Sequence, residues 1–232
     1  MLPLSARNLF CRLAVLLLLA VGWPQAAGAE PAANCHCFRD RAYNPAARFA
    51  ADEYLLVTIF NGLISRFFDI PKREVVMLKM QGGVDQNDLL LAYYIAKITA
   101  TDPQGYLARR RDKQSWQAIL SGPAMAAVGK NNPLLAAIKS GVGVKEGGRL
   151  VAETMIAAFF AEPPATIAAF HAAGLVPPEI TLALLLAHTA KQQPQHLVDL
   201  HKKAGQSWSE IAHGLGLEPA AVGKLILDYK HR

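Results

Sequence analysis

Three consecutive residues, Cys35-His36-Cys37, carry the densest potential chemistry in the chain. Two thiols flanking an imidazole can hold a soft metal, or exchange disulfides in an oxidising compartment. A structural metal site of this kind takes four ligands, and no second cysteine pair follows; the third cysteine is Cys11. A local Cys35–Cys37 disulfide, or a bridge to another chain, is the simpler expectation, and metal binding by Cys35, His36 and Cys37 the lesser one.

The second chemical feature is cationic. Arg109-Arg110-Arg111-Asp112-Lys113 is a dense basic stretch, echoed by His201-Lys202-Lys203. Arg109, Arg110, Arg111, Lys113, Lys202 and Lys203 are candidate contacts for an anionic lipid, polysaccharide or acidic protein. Cations also collect at helix C-termini, where the backbone dipole is negative. The remaining histidines, His171, His188, His196, His201, His213 and His231, form no H-E-x-x-H pattern. Neither a G-x-S-x-G elbow, a phosphate loop, a dinucleotide-binding glycine pattern nor a haem-attachment motif occurs. No catalytic residue and no cofactor is predicted.

These side chains sit in a chain of 232 residues, 52% hydrophobic and 18% charged, with a formal charge of +6. Such a composition excludes a disordered tail or a collagen-like repeat. Arg7 and Arg12 precede an apolar run, Leu13 to Gly22, which is short for a bilayer span of roughly 20 residues. Trp23-Pro24 ends the run, and Ala27-Gly28-Ala29 supplies the small residues of a cleavage site. Residues 1–29 therefore read as a secretory signal peptide, with the mature chain exported, periplasmic or secreted, and without a transmembrane helix. Asn34 before Cys35 argues against lipid anchoring. Residues 30–46 read as an irregular, cysteine-containing segment.

Beyond that point the periodicity is helical throughout. Leu55/Leu56, Ile59/Phe60, Leu63/Ile64 and Phe67/Phe68 recur every four residues, and Pro71 breaks the helix. Asp85 and Asp102-Pro103 are placed to open two more. The same order then returns. Phe67-Phe68-x-x-Pro71 matches Phe159-Phe160-x-x-Pro163, and Gly83 with Asp88 matches Gly174 with Glu179. Gln114-Ser115-Trp116 matches Gln206-Ser207-Trp208, and Ala126-Ala127-Val128-Gly129-Lys130 returns unchanged at 220–224. The expected architecture is all-α: helical repeat 1 over 47–140, a Gly-rich linker at 141–148, and helical repeat 2 over 149–232. The two diverged copies of this multi-helix unit are expected to pack as a pseudo-symmetric bundle, with Trp116 and Trp208 as buried anchors.

In the second copy, Ser207-Trp208-Ser209-Glu210 has the form of a capping box. Ile211-Ala212, the turn glycine Gly216, and then Leu217, Val222 and Leu225 follow at the spacing of two locked helices. This stretch of about twenty residues, supported by a helix from Pro194 to Ala204, resembles the helix-turn-helix family. That resemblance implies three small helices packed together, the last lying in the DNA major groove in DNA-binding members. The outward positions on that helix, Glu218, Pro219, Ala220, Gly223 and Lys224, lack the Arg, Asn and Gln side chains that read bases. Nucleic acid is not the expected partner, except where the export signal has been misread.

The sequence thus leads to an exported helical binding or structural protein that contacts a protein or an anionic envelope component. An enzyme with a dispersed active site is the rival. Intact-mass measurement of the exported protein is expected to show loss of residues 1–29, and a two-hydrogen mass gain on reduction if Cys35 and Cys37 are bridged.

Overall fold

The computed structural model describes residues 38–80, 82–122 and 132–230. The signal peptide, the Cys35-His36-Cys37 cluster and the pentapeptide 126–130 lie outside the described residues.

Capping side chains and prolines set most of the helix starts. A short 3₁₀ turn, Pro45–Ala47, precedes α1 (Asp52–Phe68), α2 (Lys72–Met80), α3 (Gln86–Thr99), α4 (Pro103–Arg111), α5 (Trp116–Leu120) and α6 (Pro133–Lys139). A second series follows: α7 (Val144–Phe160), α8 (Pro164–Ala172), α9 (Pro177–Ala190), α10 (Pro194–Lys202), α11 (Trp208–Gly214) and α12 (Pro219–Asp228). Among the described residues there is no strand. Asp85 accepts from the backbone N–H groups of Asn87 and Asp88, Asp102 from Gln104, and Ser115 from Ala118. Ser207 and Glu210 form a reciprocal capping box, satisfying donors that a helix start leaves open.

The two series match in length. Helices of 17, 9, 14 and 9 residues open the first, and the same four lengths open the second. Asp69, Ala100, Ala161 and Lys191 end the long helices in the left-handed conformation, at φ of 55°, 53°, 55° and 53°. Each of these non-glycine caps donates its N–H to a carbonyl four residues back, which offsets the steric cost of about 1–2 kcal/mol for that conformation.

Packing crosses between the series. α1 lies chiefly against α9 and α12, whereas α3 lies chiefly against α7. One continuous cluster of buried apolar side chains results, running from Leu55 and Phe60 on α1 through Leu91 on α3 and Met155 on α7 to Leu185 on α9 and Ile226 on α12. The two helical series therefore share a core. The backbone N–H groups of Trp208 and Ser209 also donate to the Asp52 carboxylate, at 2.9 and 2.8 Å, closing the start of α11 onto the start of α1. Among the described residues no single helix is long and apolar enough to cross a membrane; α8 and α9 together pass by composition, but they meet at a 118° bend.

Two expectations are corrected by this packing. Residues 141–148, expected as a Gly-rich linker, are helical from Val144, where α7 begins, and Gly147 and Gly148 are buried within it. Their lack of a side chain serves close approach. A Cβ at Gly147 would stand 3.4 Å from Leu91, and one at Gly148 only 2.4 Å from the Asn87 side chain. The helix-turn-helix-like stretch differs too. Pro219 and Gly223, expected to face outward, are buried, and a Cβ at Gly223 would meet Thr58 of α1 at 2.5 Å. Glu218, Ala220 and Lys224, the other three positions expected to face outward, are exposed.

Gly148→Ala is therefore expected to destabilise the protein by about 1–3 kcal/mol through overpacking against Asn87. Gly214→Ala, where no atom lies within 4 Å of the added methyl, is expected to stay within about 0.5 kcal/mol of the parent. Urea unfolding of both variants checks the contrast.

Candidate apolar groove and its helix clamps

An open concavity of about 620 Å³ lies where α6 and α8 diverge over the outer face of α7. Leu134, Leu150, Ala157, Ala158, Pro164 and Ile167 make it predominantly apolar. That size and character fall in the range of ligand-binding clefts. Polar groups are confined to Thr154 on the outer face of α7 and to two carboxylates, Glu153 and Glu162. Arg149 neutralises the inner one, bridging Glu153 and Glu146 along one helix face. Its guanidinium holds the Glu146 carboxyl below the usual range through a direct hydrogen bond. His171 of α8 approaches Glu153 to 3.8 Å, while its Nδ1 lies 3.3 Å from the Leu175 carbonyl. Glu162, half-buried, lies two residues beyond the end of α7.

Elsewhere in the fold, two tryptophans hold helices together through partly buried polar contacts. Trp116 donates its indole N–H to Asp88 Oδ1 at 2.7 Å, and Arg110 reaches the same oxygen at 2.9 Å. The Arg110 guanidinium also lies over the Trp116 ring, 5.8 Å from its centroid. In the second series, Trp208 donates to Glu179 Oε1 at 3.3 Å, and His201 lies 3.2 Å from that oxygen. The His201 ring stacks on the Trp208 ring at 4.4 Å, and the other Glu179 oxygen accepts from the Val176 N–H at 2.9 Å. Each acid sits in the first turn of its helix, where the positive dipole end favours it. A hydrogen bond to a charged acceptor contributes about 1.5–3 kcal/mol, so each clamp fixes three helices.

The sequence-selected cations serve mostly within the fold. Arg109 donates to the Gln114 side chain at 2.8 Å, and Arg110 belongs to the Trp116 clamp. Lys202 caps the Gly174 carbonyl at 2.9 Å, and Lys203 pairs with Asp199 on its own helix at 2.9 Å. Arg111 and Lys113 stand exposed, Lys113 in the left-handed conformation at φ 60°. Trp116 and Trp208 are both buried. Among the described residues no cluster of three His, Cys, Asp or Glu could hold a metal. The sequence reading matched Asp88 with Glu179 in the repeat but gave neither acid a tryptophan partner. The available signal was spacing: Asp88 precedes its tryptophan by 28 residues and Glu179 by 29.

Among the described residues one cation, Lys79, is deeply buried. Lys79 of α2 donates to Asn61 at 3.0 Å and to Gln86 at 2.8 Å. Burial lowers its pKa from 10.5 to about 8, with the Asp85 carboxylate opposing the shift. Nearby, Tyr93 donates to Glu74 at 2.6 Å; burial and that bond raise the phenol above its ordinary range. Comparison of the chain with protein-family models, curated proteins and solved structures gives no match. Its chemistry is therefore read from geometry.

Between the lowered pKa of Lys79 and its ordinary value in the unfolded chain, unfolding takes up a proton, so stability rises with pH across that window. The unfolding free energy of the parent is expected to climb from about pH 8 to pH 10 relative to Lys79→Met. Parallel pH profiles for the two proteins, from urea titrations, provide the check.

Proposed function

We propose that the chain is an exported, non-catalytic helical binding protein whose contact surface is the groove over α7. Export rests on the basic start, the short apolar run and the Ala27-Gly28-Ala29 site of the sequence. The observation that carries binding is the groove itself, a predominantly apolar cleft of about 620 Å³ with Glu153 and Glu162 as its charged lining residues. An apolar concavity with few polar groups is the usual form of a recognition site. The partner class is a protein, with exposed Arg111 and Lys113 as the contact point for an anionic envelope component.

The architecture belongs to this reading: two diverged copies of one helical unit, fused and packed pseudo-symmetrically. The matching lengths of four successive helices support it. So do the paired left-handed caps and the two carboxylate–tryptophan clamps. The last three helices keep the helix-turn-helix-like order as packing elements, and nucleic acid is not a partner. Buried Pro219 and Gly223 on α12 support that exclusion.

Capture from an envelope fraction with the mature protein tests the reading. Ala158→Arg, at an exposed position of the groove, is expected to remove the main partner without changing the helical circular-dichroism signal. Arg111→Glu with Lys113→Glu is expected to weaken only the salt-sensitive part of the captured material. Retention of every partner by Ala158→Arg would show that the groove is not the contact surface.

A further inference from the structure

The two tryptophan clamps share one plan but differ in their cation. Asp88 and Glu179 are each the third residue of their helix, and Trp116 and Trp208 each the first. Arg110 and His201 each hold the eighth position of a nine-residue helix. Their contacts correspond as well. Arg110 reaches Asp88 through Nε and donates from Nη1 to the Gln114 backbone carbonyl, two residues before Trp116. His201 meets Glu179 through Nε2 at 3.2 Å, and the Gln206 backbone carbonyl through Nδ1 at 2.8 Å, two residues before Trp208. The two sites are equally sheltered: side-chain exposure is 20% and 17% in the first pair, 16% and 14% in the second.

Both ring nitrogens of His201 thus face oxygens that accept. The Gln206 carbonyl has no proton to give. Glu179 already receives the Trp208 indole N–H on Oε1 and the Val176 N–H on Oε2, and donors of this kind favour the ionised carboxylate. A neutral imidazole carries one N–H and one lone pair. Whichever nitrogen keeps the proton, the other turns its lone pair toward an oxygen at 2.8 or 3.2 Å. A proton on each nitrogen serves both contacts.

We propose that His201 is a pH-sensitive latch, independent of the groove: as the imidazolium it closes the second clamp, and loss of its proton loosens α10 and α11 from α9. The first clamp stays closed, because the guanidinium of Arg110 does not deprotonate in proteins. The other charged groups around His201 are engaged elsewhere or exposed. On α11, Glu210 pairs with Arg48 and His213 with Glu218, and Asp52 of α1 accepts from the backbone of Trp208 and Ser209. On α9, His188 stacks on Phe160. On α10 itself, Lys203 pairs with Asp199, Lys202 caps the Gly174 carbonyl, and His196 is exposed. Glu179 is the charge that His201 answers. The folded clamp keeps a proton that the unfolded chain releases near the ordinary imidazole value of about 6.5. The latch therefore contributes fully below that pH and is lost as pH rises above it.

Hydrogen exchange at the indole N–H groups, resolved by NMR, reads the two clamps separately. With residues 1–29 removed, Trp116 and Trp208 are the tryptophans that remain. Trp116 is the internal reference, since global opening and the intrinsic pH dependence of exchange act on both indoles. From about pH 6 to about pH 9, the ratio of the Trp208 rate to the Trp116 rate is expected to rise roughly tenfold. His201→Arg is expected to hold the ratio constant, and His201→Gln to show the raised ratio already at the acid end. Arg110→His is expected to transfer the pH dependence to Trp116. Nitrogen-15 shifts of the His201 ring are expected to show both nitrogens protonated at about pH 7.5, where the urea-unfolded protein shows the neutral ring. A neutral His201 ring in the folded protein at that pH, or a ratio that does not change with pH, overturns the latch. An unaltered pH dependence in His201→Arg overturns it too, by assigning the effect to another group. Where a substituted protein fails to fold, the ring shifts and rate ratio of the parent decide.

Discussion

The structure depends on an exchange of helix contacts across the chain. α1 finds its main partners in α9 and α12, and α3 finds its partner in α7. Long-range apolar burial of this kind makes the core a joint property of both series, since removing either exposes the inner face of the other. A buried Leu or Ile contributes about 1.5–3 kcal/mol, and the shared cluster draws such residues from both series. Glycines allow the crossing helices to approach: Gly148 meets Asn87, and Gly223 meets Thr58. Where those contacts form, no room remains for a methyl group.

Polar groups then fix the orientation that apolar contact leaves loose. In each clamp a first-turn carboxylate of the third helix of the series receives an indole N–H and a cationic or aromatic neighbour from the helices that follow. Arg110 in one clamp and His201 in the other do similar work with different geometry: the guanidinium lies over the ring, while the imidazole stacks on it. The basic stretch that looks from the sequence like a surface for anions is thereby partly absorbed. Of its arginines, Arg109 and Arg110 hold a helix end, and Arg111 remains exposed.

Much of the helical framework was legible because its punctuation is local. Asp85, Asp102, Ser115 and Ser207 cap the helices they precede, and Pro71 lies in the break after α1. The all-helical class follows from the apolar spacing of residues such as Leu55, Ile59 and Leu63. Tertiary context defeated the rest. Gly147 and Gly148 look like linker residues by composition, and only the proximity of α3 reveals them as contact points. Gly223 looks outward until α1 is placed beside it. The groove could not be read at all, because it arises from the divergence of α6 and α8 over α7 rather than from a motif.

The bond between Asp52 and the backbone of Trp208 spans 156 residues, and α12 closes over α1 at a similar remove. A polypeptide emerging amino end first, from a ribosome or a translocation pore, must leave its earliest long helix half clothed until the final helix arrives. Contacts so distant along the chain slow folding, because loop closure has to precede their reward. Stalled or truncated chains would accordingly present the Thr58–Gly62 surface to any chaperone or protease that patrols nascent polypeptides.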